Sequence, residues 1–126
     1  MKYFVLLGRI LYSLIFIMAS FSHFSKGTIE YATTHGVPMA SILVPLSGVI
    51  ALLGGLSVLF GFKARFGAWL LVLFLIPVTF MMHKFWGIGD PVTANIQQIM
   101  FMKNLSMLGA AFLITYFGSG PISIKE

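Results

Sequence analysis

The sequence predicts an all-α membrane protein, built as an antiparallel bundle of four transmembrane helices with a short interfacial helix in the first outer loop. Two observations predict this fold class. Hydrophobic residues make up 59% of the 126 residues and charged residues only 9%, with a mean hydropathy of +1.00. A soluble domain carries about 25% charged residues, so this chain cannot cover a water-facing surface. Four apolar runs also approach the ~20 residues that a membrane-spanning helix needs.

The four apolar runs together form a single domain over residues 1–126. They cover residues 4–24, 42–62, 66–83 and 98–117. Backbone groups in lipid must satisfy their own hydrogen bonds, so runs of this length predict helices and not strands. The first run resembles a secretion signal, but Arg9 interrupts it and more membrane protein follows. We therefore expect it to remain as the first span.

The connections between the runs predict the topology. Lys63-Ala64-Arg65 is a turn so short that the second and third runs must be antiparallel neighbours. Basic residues are more frequent on the side of that turn, which carries Lys2, Lys63, Arg65 and Lys125, than on the other, which carries Lys26 and Lys84. The positive-inside rule then places both termini in the cytoplasm. In the first outer loop, residues 27–38 look like a short amphipathic helix that ends at Gly36 and Pro38.

Composition excludes several classes of function. The net charge of +5 comes from scattered Lys and Arg residues, so we expect no nucleic-acid partner. The chain has no cysteine, which excludes a thiol relay and a thiolate metal site. The spacing of His23, His35 and His83 is no metal-ligand signature, so we expect no metal and disfavour haem. Redox chemistry would need a bound cofactor or a partner protein.

Lys103 and Asn104 are the most informative residues, because they stand side by side inside the fourth apolar run. A charge within a span costs roughly 2–3 kcal/mol or more, so such residues normally face protein or a wet cavity and indicate a functional site. The plainer interpretation is that Lys103 snorkels outward to a lipid phosphate. For Arg9 we favour the corresponding interpretation, in which it snorkels to the inner headgroups.

Helical phase predicts a polar seam that faces the interior of the bundle. On the first span, Arg9, Ser13, Ser20 and His23 share one face; on the third, Thr79 and His83 do, and Pro77 predicts a kink. On the second, Ser47, Ala51 and Gly55 form a small-residue face that suits close approach of another helix, including that of a homodimer partner. The candidate ligand-binding residues are Lys103, Asn104, His83, His23, Thr79, Ser47 and Arg9. We expect His23, His83 and Lys103 to meet near the outer face.

A family resemblance follows from stretches spread along nearly the whole chain. They include Gly8-Arg9-Ile10-Leu11, Ser22-His23-Phe24, Gly36-Val37-Pro38, Leu53-Gly54-Gly55-Leu56, Met82-His83-Lys84-Phe85-Trp86 and Phe101-Met102-Lys103-Asn104. In their order and spacing the chain resembles the DoxX family of the DoxX/DoxD-like class. The resemblance implies a four-helix bundle in the inner membrane of a bacterium, with some relatives linked to redox partners and quinone reduction. Ala51 and Lys125 stand where many relatives have acids, which weakens any transfer of a proton-handling role.

Three functions are compatible with these features. The first is a membrane subunit that binds a quinone, or another flat carbonyl compound, for a redox partner protein, with Lys103 and His83 as donors and Asn104 as a helper. The second is a non-enzymatic anchor or assembly factor. The third is a small-solute carrier, which we rank last because we expect an internal proline in the third span alone. The chain has no self-contained catalytic constellation, so whether it is an enzyme stays open; an oxidoreductase subunit is the candidate.

Overall fold

A computed structural model describes residues 2–83 and 85–124 as five helices. They are α1 (Lys2–Ser22), α2 (Lys26–Thr34), α3 (Ala40–Phe60), α4 (Ala64–Met82) and α5 (Pro91–Phe117). All but α2 are long and apolar enough to cross a membrane. The predicted four-helix membrane bundle with a short helix after the first span is confirmed. We call the end of the bundle that carries α2 the lid end, and the end that carries the α3–α4 turn the tail end.

The helices pack in the order α1, α3, α4, α5, with α2 lying on α3. Phe16, Val58, Leu71 and Leu75 fill the centre, and each is almost completely buried. The two outermost helices are also joined, because the Tyr12 hydroxyl of α1 donates a hydrogen bond to a backbone carbonyl of α5 at 2.7 Å. That acceptor belongs to Met107. Tyr12 therefore links the first and last helices of the bundle.

Glycines let α3 approach both of its neighbours closely. A Cβ added at Gly54 would lie 2.9 Å from the Gly67 carbonyl of α4, and one added at Gly55 would lie 2.9 Å from Ile17 of α1. Ala51, about one turn before these glycines on α3, is fully buried. The predicted small-residue face is therefore used within one chain. At Gly55, α1 packs against this face. A homodimer through the same face stays a prediction.

The helix α2 begins and ends as the sequence predicts. The Ser25 hydroxyl accepts a hydrogen bond from the Thr28 amide at 3.2 Å, which caps the first turn. Gly36 follows the last turn with φ +83°, a left-handed conformation that glycine adopts without strain. Ala32 faces inward and packs with Ala40 and Val44 of α3. This contact holds α2 across the lid end.

The helix α5 begins at Pro91, seven residues before the predicted start at 98. Asp90 caps it, because its carboxylate accepts from the Val92 and Thr93 amides, and Pro91 needs no donor at the first position. The Thr93 hydroxyl also donates to Asp90 and lowers the pKa of that carboxyl below its ordinary value. At 27 residues α5 is about 40 Å long, longer than the ~30 Å hydrocarbon core. Its first turns therefore extend beyond the bilayer core.

Internal prolines occur in two helices. Pro77 lies in α4, and Pro45 lies in α3. Each lacks the amide hydrogen that would bond the carbonyl four residues earlier. The expectation of a proline in the third span alone was wrong, and it removes the reason for ranking a carrier last.

The chain folds back over the tail end after α5. The Ile124 amide donates to the Phe60 carbonyl at 3.0 Å, which ties residues 118–124 to the end of α3. Ser119 is buried, and its hydroxyl donates to that of Ser123 at 2.9 Å. We call residues 118–124 the tail segment. It covers the start of α1 and the end of α3.

Candidate ligand cavity

A cavity of about 600 Å³ occupies the lid half of the bundle. All five helices contribute to its wall, from Ile15 on α1 to Met107 on α5. The wall is mostly apolar, and the polar side chains on it are His23, Thr28, Ser47, His83, Lys103 and Asn104. A volume of 300–1,000 Å³ with a few polar groups on apolar walls is typical of sites for small organic ligands.

Two histidines lie on the cavity wall, and hydrogen bonds hold each ring through Nδ1. In His23, Nδ1 lies 2.8 Å from the Ala19 carbonyl, and the ring packs edge-on against Phe74. In His83, Nδ1 lies 3.0 Å from the Gln97 side-chain oxygen, which joins the end of α4 to α5. Opposite a backbone carbonyl, Nδ1 of a neutral His23 ring carries the proton and Nε2 the lone pair. Opposite the Gln97 amide, which has both a donor and an acceptor, His83 can adopt either tautomer.

Lys103 and Asn104 occupy different positions on the cavity wall. Asn104 is 5% exposed, and within the described part of the chain its amide makes no hydrogen bond. Lys103 is exposed, and its Nζ lies 3.6 Å from the Met100 sulfur. A residue that both lines a cavity and is exposed stands at its rim. Although the two residues are consecutive on α5, the Asn104 amide is buried at the cavity wall and the Lys103 ammonium lies at the opening.

Ser47 and Thr79 contribute less directly. Ser47 lines the cavity, but its hydroxyl donates to the Val44 carbonyl of its own helix at 2.6 Å. Thr79 is 1% exposed and lies behind the wall, next to Val78. Its hydroxyl has no partner among the described residues. A buried hydroxyl without a partner is destabilising, since its hydration is lost and not replaced.

Arg9 is not part of the cavity. It lies about 21 Å from His23 along α1, at a rise of 1.5 Å per residue. Its side chain is only 6% exposed, and Nη2 donates to the Ile122 carbonyl of the tail segment. The expectation that Arg9 snorkels to the headgroups was wrong, because the tail segment folds over it. The structure therefore brings together five of the seven candidate residues, and leaves out Arg9 and Thr79.

Two features of the cavity lie on residues that the sequence did not single out. Thr28 lines it from α2, and the amphipathic pattern of that helix was the available signal. Tyr12 bonds the Met107 carbonyl at the cavity's inner end. A tyrosine in an apolar span carries no signal of its own that its hydroxyl bridges two helices.

These observations define the class of protein: a small integral membrane protein, a four-helix bundle with a cavity of ligand size at one end. The chain belongs to the DoxX family, whose model matches residues 4–84. That stretch covers α1 to α4, which form most of the cavity wall. The resemblance drawn from the sequence is confirmed.

Curated relatives extend the similarity to nearly the full chain. The inner membrane protein YqjF of Escherichia coli (strain K12) is 34% identical over 124 residues, which cover 97% of this chain and 89% of that protein. The inner membrane protein YphA of the same organism is 31% identical over 125 residues, covering 97% and 88%. A Surfeit locus protein 4 homolog of Schizosaccharomyces pombe is 30% identical over 92 residues, which cover 72% of this chain but only 30% of that protein. No solved structure matches significantly.

Proposed function

We propose that the cavity binds a quinone or a similar flat carbonyl compound, and that the protein presents it to a redox partner. The observation that carries this proposal is the wall itself: a volume of about 600 Å³, mostly apolar, with Lys103, Asn104 and two histidines on it. An aromatic ring fits such apolar walls, and polar groups at its edge need donors and acceptors. The site then needs no catalytic constellation of its own.

The hydrogen-bonding roles follow from the geometry. The Lys103 ammonium and the Asn104 amide would donate to a carbonyl oxygen of the ring. In the tautomer that donates from Nδ1 to the Gln97 oxygen, His83 would accept at Nε2 from a hydroxyl of the reduced form. In the opposite tautomer it would donate from Nε2 to a carbonyl, which is the role that the sequence predicts. The cavity thus offers partners to both redox states of such a ring.

The proposal includes a location. The two Escherichia coli relatives are named as inner membrane proteins, which supports the same membrane for this chain. Lys2, Lys63 and Arg65 lie at the tail end, so the positive-inside rule supports a cytoplasmic tail end with both termini. The cavity would then open toward the outer leaflet, where a lipid-soluble ligand can enter from the bilayer.

One observation favours a second function, that of a non-enzymatic anchor or assembly factor. Lys103 is exposed, so its ammonium is available to a lipid phosphate or to a partner protein without any cavity ligand. In this alternative the cavity is filled by ordinary acyl chains. A stoichiometric protein partner recovered in mild detergent, with no small molecule bound, would favour it.

Gentle extraction of the native protein followed by mass spectrometry of bound molecules tests the quinone proposal. We expect retained quinone in the wild type and at least a tenfold loss in Lys103→Leu, equivalent to about 1.4 kcal/mol of binding free energy. Lys63→Leu is the matched control, since Lys63 is an exposed cation at the opposite end and should not alter retention. Full occupancy of the wild type by ordinary lipid contradicts the proposal.

A further inference from the structure

The tail end contains a buried cation that no acid among the described residues neutralises. Arg9 is 6% exposed, and its guanidinium can donate five hydrogen bonds. Nη2 donates to the Ile122 carbonyl, whereas Nε and Nη1 have no partner among the described residues. A buried charge of this kind is costly unless an opposite charge or several acceptors compensate it. One carbonyl is too little compensation for a guanidinium.

The surroundings of Arg9 are basic. Arg65 also lies against the tail segment, with its Nε 3.2 Å from the position that a Cβ on Gly118 would occupy. Lys63 lies in the same α3–α4 turn and is exposed. The acids in the described part of the chain, Glu30 and Asp90, both lie at the lid end. Among the described residues, the tail end therefore has basic side chains and no acid to balance them.

The tail segment contains a strained residue at the point where it covers Arg9. Gly118 and Gly120 have φ of +78° and +75°, which glycine tolerates, but Ile122 has φ +54°. A β-branched residue in this conformation is strained. The strained residue is also the one whose carbonyl accepts from Arg9. A stronger acceptor for Arg9 would release that carbonyl and relieve the strain at Ile122.

We propose that Arg9 and Arg65 form a binding site for a phosphate group at the tail end, with the tail segment as its cover. Phosphate oxygens accept paired hydrogen bonds from a guanidinium and supply the missing negative charge. The phosphate belongs either to an anionic phospholipid headgroup or to free phosphate in water. This site lies at the opposite end of the bundle from the cavity and is independent of the quinone proposal.

The test compares thermal unfolding of the full chain in nanodiscs of phosphatidylcholine, with and without phosphatidylglycerol or added inorganic phosphate. For the wild type we expect an anion to raise the unfolding temperature by about 5 °C. A shift with phosphatidylglycerol alone identifies a lipid headgroup, and a shift with inorganic phosphate alone identifies free phosphate. Lys2→Met, which removes an exposed cation at the same end, should keep the shift, and Arg9→Met should lose it.

Arg9→Met also reports on the buried charge without any anion. In pure phosphatidylcholine we expect this variant to unfold at the wild-type temperature or above, because an apolar side chain of similar length removes an uncompensated charge. The unfolding temperature of Arg9→Met would then equal or exceed that of the wild type without phosphatidylglycerol, and would lie below it when phosphatidylglycerol is present. A second readout needs no variant: native mass spectrometry of the wild type from mixed nanodiscs should show preferential retention of phosphatidylglycerol.

Three results would overturn the proposal. The first is a wild-type unfolding temperature that neither anion changes, together with equal retention of both lipids. The second is an Arg9→Met variant that keeps the full anion shift. The third is a shift that appears only in Glu126→Gln, since the carboxylate of that side chain would then serve as the anion.

Discussion

The two ends of the bundle treat an ionisable side chain in opposite ways. At the lid end, Lys103 is exposed at the rim of a cavity of about 600 Å³. At the tail end, Arg9 is 6% exposed and lies beneath the tail segment. Each is the cation of an otherwise apolar span. The exposure of a charged side chain in a span therefore depends on which other segment of the chain covers it.

Packing differs between the two ends in the same way. At the tail end, an added Cβ on Gly61 would collide with both the Arg9 guanidinium and Ser123. At the lid end, an added Cβ on Gly36 or Gly87 would meet nothing within 4 Å. The tail end is closed by side chains in direct contact, whereas the lid end contains the cavity of about 600 Å³. A ligand that enters without moving the backbone therefore has room at the lid end.

The largest expected effect comes from Gly61→Ala, measured against Gly36→Ala. Both glycines end a helix with positive φ, so both substitutions pay about 1–2 kcal/mol for a left-handed alanine. Only Gly61→Ala must also displace Arg9 and Ser123, which adds about 1–3 kcal/mol. Reversible unfolding in mild detergent measures the difference. Equal losses for the two variants would show that the tail end is as open as the lid end.

An intermediate effect is expected where the two halves meet. Tyr12→Phe removes the hydrogen bond from α1 to the Met107 carbonyl of α5, and we expect a loss of about 1 kcal/mol. Tyr116→Phe is the control, because Tyr116 is 75% exposed and should change stability very little. Unfolding temperatures of the two variants decide the matter. If Tyr12→Phe unfolds at the wild-type temperature, this bond does not close the bundle below the cavity.

The smallest expected effect is a gain. Thr79→Val replaces a buried hydroxyl that has no partner, so we expect a stabilisation of about 1 kcal/mol or less. Thr79→Ser keeps the hydroxyl and loses a methyl group, so it should destabilise by a similar amount. Because Thr79 lies behind the cavity wall, Thr79→Val should leave quinone retention unchanged. A loss of retention would place its hydroxyl in contact with the ligand.

Much of the fold could be predicted because it depends on local pattern. The four spans follow from the length of the apolar runs, and α2 follows from Ser25, Gly36 and Pro38. The early start of α5 was readable as well, since Asp90-Pro91 is a cap followed by a favoured first residue. Hydropathy alone places the start at 98, because residues 91–97 are polar. Hydropathy marks the membrane core, and caps mark the helix ends.

The candidate site could be predicted only in part. The sequence predicts that Lys103 and Asn104 both belong to the site, and the structure shows that Asn104 is buried and Lys103 exposed. Helical phase places Ser47 on an inward face, but it does not show that α3 packs against α1 at Gly55. The phase of a residue says which neighbours share its side of a helix. It does not say which helix, or which tail, lies opposite.

Sequence alone is enough to predict that lipid surrounds this protein, that it has four spans, and that most polar residues within them face the interior of the bundle. Those properties follow from hydropathy and helical period, which are summed over neighbouring residues. Only the tertiary structure decided that α1 packs against the small face of α3 at Gly55, that Tyr12 ties α1 to α5, and that residues 118–124 bury Arg9. These contacts join residues up to 113 positions apart, and no local pattern encodes a partner at that distance.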